Sequence, residues 1–234
     1  MPIEIKTKIK EVIQRNYNVK SFRLDISDVL NFKAGQFLLV RLGTDPQLKK
    51  YLSISSSPTE KSYLEFTKKL TESDFSKILD NLKAGDAVVI QYPFGKFVLD
   101  ESFFKIAFLS GGIGITPIRS ICKYVVDKNL GSDIVLVYAN RSVKDIVFKD
   151  DFDALMKSYP ALRVVHVLTE AQAGFMGSVG RINACLVKKE IPDYQERKFY
   201  LCGPPQMVEA MRLLLVEELK VSPEMIVREN FQGY

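Results

Sequence analysis

The chemistry open to this chain is bounded first by the side chains it lacks. In 234 residues there is one histidine, His166, and there are three cysteines, Cys122, Cys185 and Cys202. A single imidazole removes most hydrolase triads and His-based metal sites. The cysteines show no C-x-x-C spacing and cannot make a disulfide framework. That argues for a reducing compartment, here the cytoplasm, and against a tightly spaced structural zinc site or an iron–sulfur cluster. What the chain does carry is glycine placed to hold phosphate. Leu109-Ser110-Gly111-Gly112-Ile113-Gly114-Ile115-Thr116-Pro117 follows an apolar run and opens a helical pattern. Glycine there lets the backbone approach a pyrophosphate at a helix N-terminus. Thr116 is placed to cap, and Pro117 suits the first helical position. The dinucleotide fingerprint is partly met: Gly112 and Gly114 fit, but Pro117 stands where the third glycine belongs. No acidic residue ends the next strand as a ribose partner, because that strand closes on Tyr138-Ala139-Asn140-Arg141-Ser142. A second strand-to-helix turn is Cys202-Gly203-Pro204-Pro205. Two such turns at the carboxyl ends of parallel strands build a crevice. A chain so stocked is expected to borrow its chemistry from a bound cofactor.

The elements that must position these residues have two rhythms. In the first half, Lys20–Ile26, Gln36–Leu42, Tyr51–Ser55, Tyr63–Lys69 and Ala87–Tyr92 are rich in β-branched and aromatic residues and are separated by turn residues. Met1–Ile13 adds a strand of mixed alternation. One short helix is expected over Asp74–Leu82, capped by Ser73. This pattern predicts a barrel or a sandwich. In the second half, strands at Lys105–Leu109, Asp133–Ala139, Arg163–Leu168, Lys198–Cys202 and Met225–Arg228 alternate with helices. The helices are expected near Thr116–Asp127, Asp150–Ser158, Arg181–Lys189 and Pro204–Leu219. This is the pattern of a parallel sheet with helices on both faces. The boundary is expected near residue 101, giving domains over 1–100 and 101–234.

Composition narrows the function classes. Residues 1–100 hold 16 Lys and Arg against 12 Asp and Glu, while residues 101–234 hold 17 against 16. Nucleic-acid modules are usually more basic, with the charge clustered, so no nucleic-acid partner is expected. The longest apolar run, Ile106–Ile118, is broken by glycines and a proline, so no membrane span is expected.

Taken together, these segments resemble the ferredoxin–NADP⁺ reductase superfamily of flavin oxidoreductases. The Gly111–Pro117 loop and Cys202-Gly203-Pro204-Pro205 are similar to its two nicotinamide-nucleotide motifs. Lys50-Tyr51-Leu52-Ser53-Ile54-Ser55-Ser56-Ser57-Pro58 looks like its flavin motif. Asp74-Phe75-Ser76, with the turn at Leu82–Asp86, looks like its pyrophosphate helix, and Pro93-Phe94-Gly95-Lys96-Phe97 like a further family turn. The match covers nearly the whole chain in the family's order. Two departures stand out: Lys50 replaces an arginine, losing its bidentate fork, and Leu52 replaces a tyrosine that stacks on the flavin. Weaker flavin retention or a shifted redox potential is expected.

The resemblance implies an N-terminal antiparallel β-barrel binding FAD and a C-terminal doubly wound α/β sheet binding NADP or NAD. FMN is the alternative flavin. It implies an NAD(P)H-dependent reductase that moves hydride between nicotinamide and flavin N5, in the crevice between the halves. The electrons pass on to an acidic carrier such as ferredoxin or flavodoxin, or to an oxygenase component. A subunit of a larger electron-transfer complex and a non-enzymatic nucleotide-binding module are the alternatives. It places Lys50, Leu52, Ser53, Thr67, Lys68, Phe75 and Ser76 at the flavin, with Phe231 or its rival Tyr234 stacked on the ring. It places Gly111, Gly112, Gly114, Thr116, Pro117, Arg141, Ser142, Gly203, Pro204 and Pro205 at the nucleotide. Ser53, Cys202 and Glu229 are implied beside the reacting atoms. Arg141 and Ser142 suit a 2′-phosphate but do not decide between NADH and NADPH. His166, inside an apolar strand, is expected to be structural. Lys49, Lys50, Lys61, Lys68, Lys69 and Lys77 form a basic set read as a solvated face or as a docking face for an acidic carrier.

Overall fold

The computed structural model describes residues 2–26, 31–43 and 45–231. They form two compact units: described residues within 2–99 with 116–127, and residues 100–115 with 128–231.

The first unit contains six antiparallel strands: β1 (Ile3–Asn16), β2 (Val19–Leu24), β3 (Phe37–Arg41), β4 (Lys49–Ser53), β5 (Leu64–Lys69) and β6 (Ala87–Phe94), in the order β4-β3-β6-β1-β2-β5. An Ile54–Phe66 bridge joins the two end strands, so the sheet closes on itself like a barrel. β1 runs further than its pattern predicts because it serves two neighbours. Ile3–Lys8 pairs with β6 and Ile9–Asn16 with β2, with a register shift between Ile9 and Glu11. That irregularity switches the buried face, which explains the mixed alternation. Phe22, Leu24, Leu38, Val40, Leu64 and Phe66 fill the interior. Helix α1 (Asp74–Asn81) adds Phe75 and Leu79 to that core, and the Ser73 hydroxyl accepts from the Ser76 amide as its cap. Helix α2 (Ile115–Lys128) packs mainly with this unit.

The second unit is a parallel sheet of β7 (Lys105–Gly111), β8 (Asp133–Asn140), β9 (Leu162–Leu168), β10 (Ser178–Val179), β11 (Lys198–Gly203) and β12 (Ile226–Asn230), in the order β10-β9-β8-β7-β11-β12. Its helices are α3 (Lys149–Ser158), α4 (Ala184–Glu190) and α5 (Pro205–Leu213). Ala107, Leu109, Val135, Val137, Phe199 and Leu201 pack with residues of α4 and α5. The alternate residues Phe108, Leu136 and Tyr200 are equally buried, so both faces of the sheet are covered. Two helices differ from their sequence patterns. α4 starts at Ala184 rather than Arg181, because the Asn183 side chain caps it by accepting from the Leu186 amide at 2.9 Å. The helix expected over Pro204–Leu219 is α5 followed by a wider π turn at Leu214–Glu218, which leaves both Leu214 and Leu215 buried. Among the described residues no helix is long and apolar enough to cross a membrane.

Candidate functional site

In the first unit the flavin-motif residues divide by strand alternation. On β4, Lys50 and Leu52 lie opposite Val40 and Leu38, and Leu52 packs against the barrel core. Ser53 ends the strand almost fully buried, with its hydroxyl making no hydrogen bond among the described residues. On β5, Phe66 joins the core and Lys68, two residues on, shares its face. Lys68 is 7% exposed. Burial first, then the neighbouring Lys50 and Lys69 charges, push its ammonium down to about 8. None of the three lysines meets a carboxylate among the described residues. A buried ammonium held among other cations is a place where an anion gains from binding.

Thr67 points the other way. Its hydroxyl lies 2.6 Å from Ser21 Oγ and 2.8 Å from Ser55 Oγ. Ser55 donates to Glu65 at 2.9 Å, and Glu65 also accepts from Arg15 and Arg23 at 3.1 Å each. This buried network occupies Thr67. On α1, Phe75 is a core residue and the Ser76 hydroxyl is engaged by Ser73 and Thr71 at 3.2 and 3.1 Å. The fold therefore brings Lys50 and Lys68 together, sets Phe75 in the core, and gives the Thr67 and Ser76 hydroxyls hydrogen-bond partners within this unit.

Two further residues of this unit escaped sequence reasoning. Arg119 and Ser120 lie on the buried side of α2. The Arg119 guanidinium donates to both carboxylate oxygens of Glu60, at 3.0 Å to Oε1, and at 3.1 Å to the Ser55 carbonyl. Ser120 Oγ donates to the Ser56 carbonyl at 2.7 Å. Glu60 in turn accepts from the Ser57 amide and the Tyr63 hydroxyl, both at 2.7 Å. Burial alone would raise the Glu60 carboxyl, but Arg119 overcomes it and holds it below the ordinary value. The helix following the glycine loop thus clamps the loop following Ser53. The available signal was an arginine set among Ile115, Ile118, Ile121 and Val125.

In the second unit, register assembles a row. Ser110 of β7 lies opposite Cys202 of β11, and Cys202 opposite Glu229 of β12. Neighbours in a parallel ladder point to the same face, so the three side chains stand side by side. Ser110 Oγ, Glu229 Oε2 and both polar atoms of Asn140, the last residue of β8, are buried without a hydrogen-bond partner. Buried polar groups are normally satisfied. These are not, and they lie at the carboxyl ends of their strands, where a nucleotide's polar groups would complete them. Burial raises the Glu229 carboxyl to about 7. Cys202 is raised by its own burial and then by Glu229, so it stays a thiol at neutral pH.

The two glycine turns meet behind this row. A Cβ on Gly114 would lie 2.4 Å from the Cys202 carbonyl oxygen and 2.7 Å from the Gly203 nitrogen, and one on Gly111 would lie 2.2 Å from Met207 Sδ. The Gly114 contacts are with backbone, so only glycine fits there, whereas at Gly111 the Met207 side chain would have to move. Gly112 takes φ +53°, and its carbonyl accepts from the Tyr138 hydroxyl at 2.9 Å. Thr116 is not a cap: the 3₁₀ turn Gly112–Gly114 runs directly into α2, so Thr116 lies inside the helix and 1% exposed, with Pro117 in the same first turn. Pro204 caps α5 and Pro205 begins it, both exposed. The half-buried Phe231 donates its amide to the Gly203 carbonyl at 3.0 Å, while Tyr234 lies outside the described residues. Arg141 and Ser142 are engaged by carboxylates, Glu170 at 2.6 Å and Asp145 at 2.7 Å. His166 sits within β9 with its ring 6.0 Å from Tyr138, and burial lowers its pKa.

Known proteins resemble this chain in sequence and fold. Residues 4–99 match the oxidoreductase FAD-binding domain and residues 108–213 the oxidoreductase NAD-binding domain. The chain is 34% identical over 217 residues to the glycine betaine monooxygenase reductase subunit of Pseudomonas aeruginosa, covering 88% of this chain and 58% of that protein. It therefore spans less than two thirds of that relative's length. It is 31% identical over 219 residues to NADH-cytochrome b5 reductase 1 of Aspergillus oryzae, covering 87% of this chain and 75% of that protein. Among solved structures, the cytochrome b5 reductase domain of Ulva prolifera nitrate reductase shares the fold, with a TM-score of 0.87, 20% identity and 97% of each chain covered. A ferredoxin NADP⁺ reductase from Neisseria gonorrhoeae with bound FAD and NADP shares it with a TM-score of 0.82, 21% identity and coverage of 97% and 98%. A closed antiparallel sheet followed by a parallel sheet with paired glycine turns, matched in sequence on both halves, makes this chain a member of the ferredoxin–NADP⁺ reductase superfamily of FAD- and NAD(P)-binding oxidoreductases.

Proposed function

We propose that this protein is an NAD(P)H-dependent flavoprotein reductase that passes electrons to a protein acceptor. The observation that carries the reading is the set of unpartnered polar atoms on Ser110, Asn140 and Glu229, aligned with two glycine turns at the carboxyl edge of a parallel sheet. A bound flavin supplies the ability to accept a hydride and release its electrons one at a time. The protein's own part is binding, orientation and proton control. Lys50 and Lys68 would hold the flavin's phosphates, and the Ser53 hydroxyl, without a hydrogen-bond partner among the described residues, would orient its ring. Gly111, Gly112 and Gly114 admit the nucleotide's pyrophosphate. Cys202, kept as a thiol, and Glu229 border the nicotinamide, and Phe231 is held beside them through Gly203. Glu229 donates a proton or hydrogen bond below about pH 7 and only accepts above it.

The acceptor class follows from the relatives and from charge. One relative is the reductase subunit of a monooxygenase, which favours an oxygenase component, with ferredoxin or flavodoxin as alternatives. Exposed Lys49 and Lys61 suit an acidic carrier.

The test is a visible spectrum of the protein purified with added FAD, followed by anaerobic titration with NADH and with NADPH. Flavin absorbance that is bleached by at least one nucleotide is the expected result. A protein that binds no flavin, or whose flavin neither nucleotide reduces, removes the proposal.

A second expectation concerns pH. The Lys68 ammonium is charged below about pH 8 and loses its charge as pH rises through that value. A bound phosphate raises its pKa again, so binding takes up a proton there. FAD affinity should fall as pH rises from 8 towards 10, by about 10-fold for loss of one charge-assisted contact. In Lys68→Gln the affinity should be lower throughout and flat over that interval. An unchanged slope in the variant would place the titration elsewhere.

A further inference from the structure

The row of side chains at the carboxyl edge of the parallel sheet runs further than Ser110, Cys202 and Glu229. Register sets Tyr138 of β8 opposite Ser110, and His166 of β9 opposite Tyr138. Tyr138 is fully buried, and a buried phenol needs a partner for its hydroxyl. That partner lies on the glycine turn: the hydroxyl donates to the Gly112 carbonyl at 2.9 Å and accepts from the Val147 amide at 3.4 Å. One side chain thus ties the turn after β7 to the loop after β8.

The three glycines of the turn are held by different means. Gly114 is hemmed in by the Cys202 backbone and Gly111 by Met207, whereas a Cβ on Gly112 would meet nothing within 4 Å. Packing on its Cα therefore does not hold Gly112, and glycine by itself takes either sign of φ about as readily. Its φ of +53° is secured at its carbonyl, which accepts from the Ile115 amide as well as from Tyr138. A peptide group is planar and trans, so anchoring the Gly112 carbonyl also fixes the direction of the Ile113 amide in the same plane.

We infer that Tyr138 is a positioning residue of the nucleotide site, whose hydroxyl holds the Gly112–Ile113 peptide in the orientation that the turn presents to a pyrophosphate. The inference rests on the nucleotide-binding part of the reading above and adds a residue that acts through the turn rather than on the reacting atoms. Without the hydroxyl, the Gly112 carbonyl keeps its bond from Ile115 but gains freedom to tilt, and a bound nucleotide must order it again. The loss falls on nucleotide affinity rather than on the hydride step, which takes place at the nicotinamide, beyond the pyrophosphate.

ADP-ribose, which carries the pyrophosphate and lacks the nicotinamide, is the probe. Its binding is measured by calorimetry on the FAD-loaded wild type, Tyr138→Phe and Tyr159→Phe. Tyr159 is a matched control: it too is buried, and its hydroxyl donates at 2.9 Å to the carbonyl of Ser132, which precedes β8 at the opposite end of that strand. Tyr138→Phe should weaken ADP-ribose by about 3–10-fold, for the loss of one hydrogen bond. The half-saturating concentration of the nicotinamide nucleotide should rise to match, with the rate of flavin reduction at saturation unchanged. Tyr159→Phe, whatever stability it loses, should leave both unchanged. In Gly112→Ala, where the methyl meets open space and the positive φ alone is penalised, adding Tyr138→Phe should cost less affinity than it does in wild type. A Tyr138→Phe protein that binds as tightly as wild type, equal losses in the two tyrosine variants, or equal costs in the two backgrounds overturns the inference and leaves the reductase reading in place. A wild type that binds no ADP-ribose overturns both.

Discussion

Replacing Gly114 with alanine is expected to lower NAD(P)H-dependent flavin reduction by about 10–100-fold while flavin binding is kept. The added methyl would sit 2.4 Å from the Cys202 carbonyl and 2.7 Å from the Gly203 nitrogen. Both are backbone atoms of a strand end hydrogen-bonded on its two sides, to β7 and β12. Neither can swing away as a flexible side chain would. The two turns must separate, at a cost of about 1–3 kcal/mol by analogy with overpacked cores. That separation disturbs the position of Cys202, which is expected to border the nicotinamide, and the conversion to rate is tenfold for each ~1.4 kcal/mol. Stopped-flow reduction under anaerobic conditions measures it, and flavin content measured on the same sample shows that the barrel is intact. A Gly114→Ala protein reduced at the wild-type rate would mean that the strand end gives way without consequence.

The second large effect is on stability. Arg119→Ala should destabilise the protein by about 3–5 kcal/mol, the cost of leaving a buried carboxylate without its partner. The guanidinium is 6% exposed and Glu60 13% exposed, so solvent does little to screen the loss. Replacing Glu60 as well, in Arg119→Ala/Glu60→Gln, should recover part of the loss, because the uncompensated charge is then gone. Urea unfolding followed by circular dichroism compares the three proteins. The pH dependence has a defined sign. Arg119 holds the Glu60 carboxyl below its ordinary value, so the pair's contribution is present at neutral pH. It is lost as pH falls below the ordinary carboxylate range. The acid slope should therefore be shallower in Arg119→Ala. Equal stabilities for Arg119→Ala and wild type would show that the clamp between α2 and the Ser55–Glu60 loop carries no net energy.

Much of this protein was legible in its sequence, and the legible part has a common cause. Strand-rich and alternating halves, the Ser73 cap and the two glycine turns each depend on residues within a few positions of one another. Local periodicity and turn chemistry are written in the order of residues. The elements that were misjudged failed where a distant partner intervened. β1 shifts its buried face because it divides its length between β6 and β2. Thr116 lost its cap role because the preceding 3₁₀ turn feeds the helix directly.

The candidate sites divide the same way. By itself the sequence determined the motifs, their order, the family they resemble and the scarcity of His and Cys from which a cofactor is expected. Only tertiary structure decided which residues are available for it. Alternation turned Thr67 into a buried network and left Lys68 with Lys50. Parallel register set Ser110, Cys202 and Glu229 side by side, although 92 and 27 residues separate them along the chain. Strand pairing brought Glu170 onto Arg141, so that the positive charge displayed by the second strand alone is paired with a carboxylate. Hydrogen-bond capacity and charge are properties of what a side chain meets. What it meets across a sheet is set by register between strands, which no local pattern records.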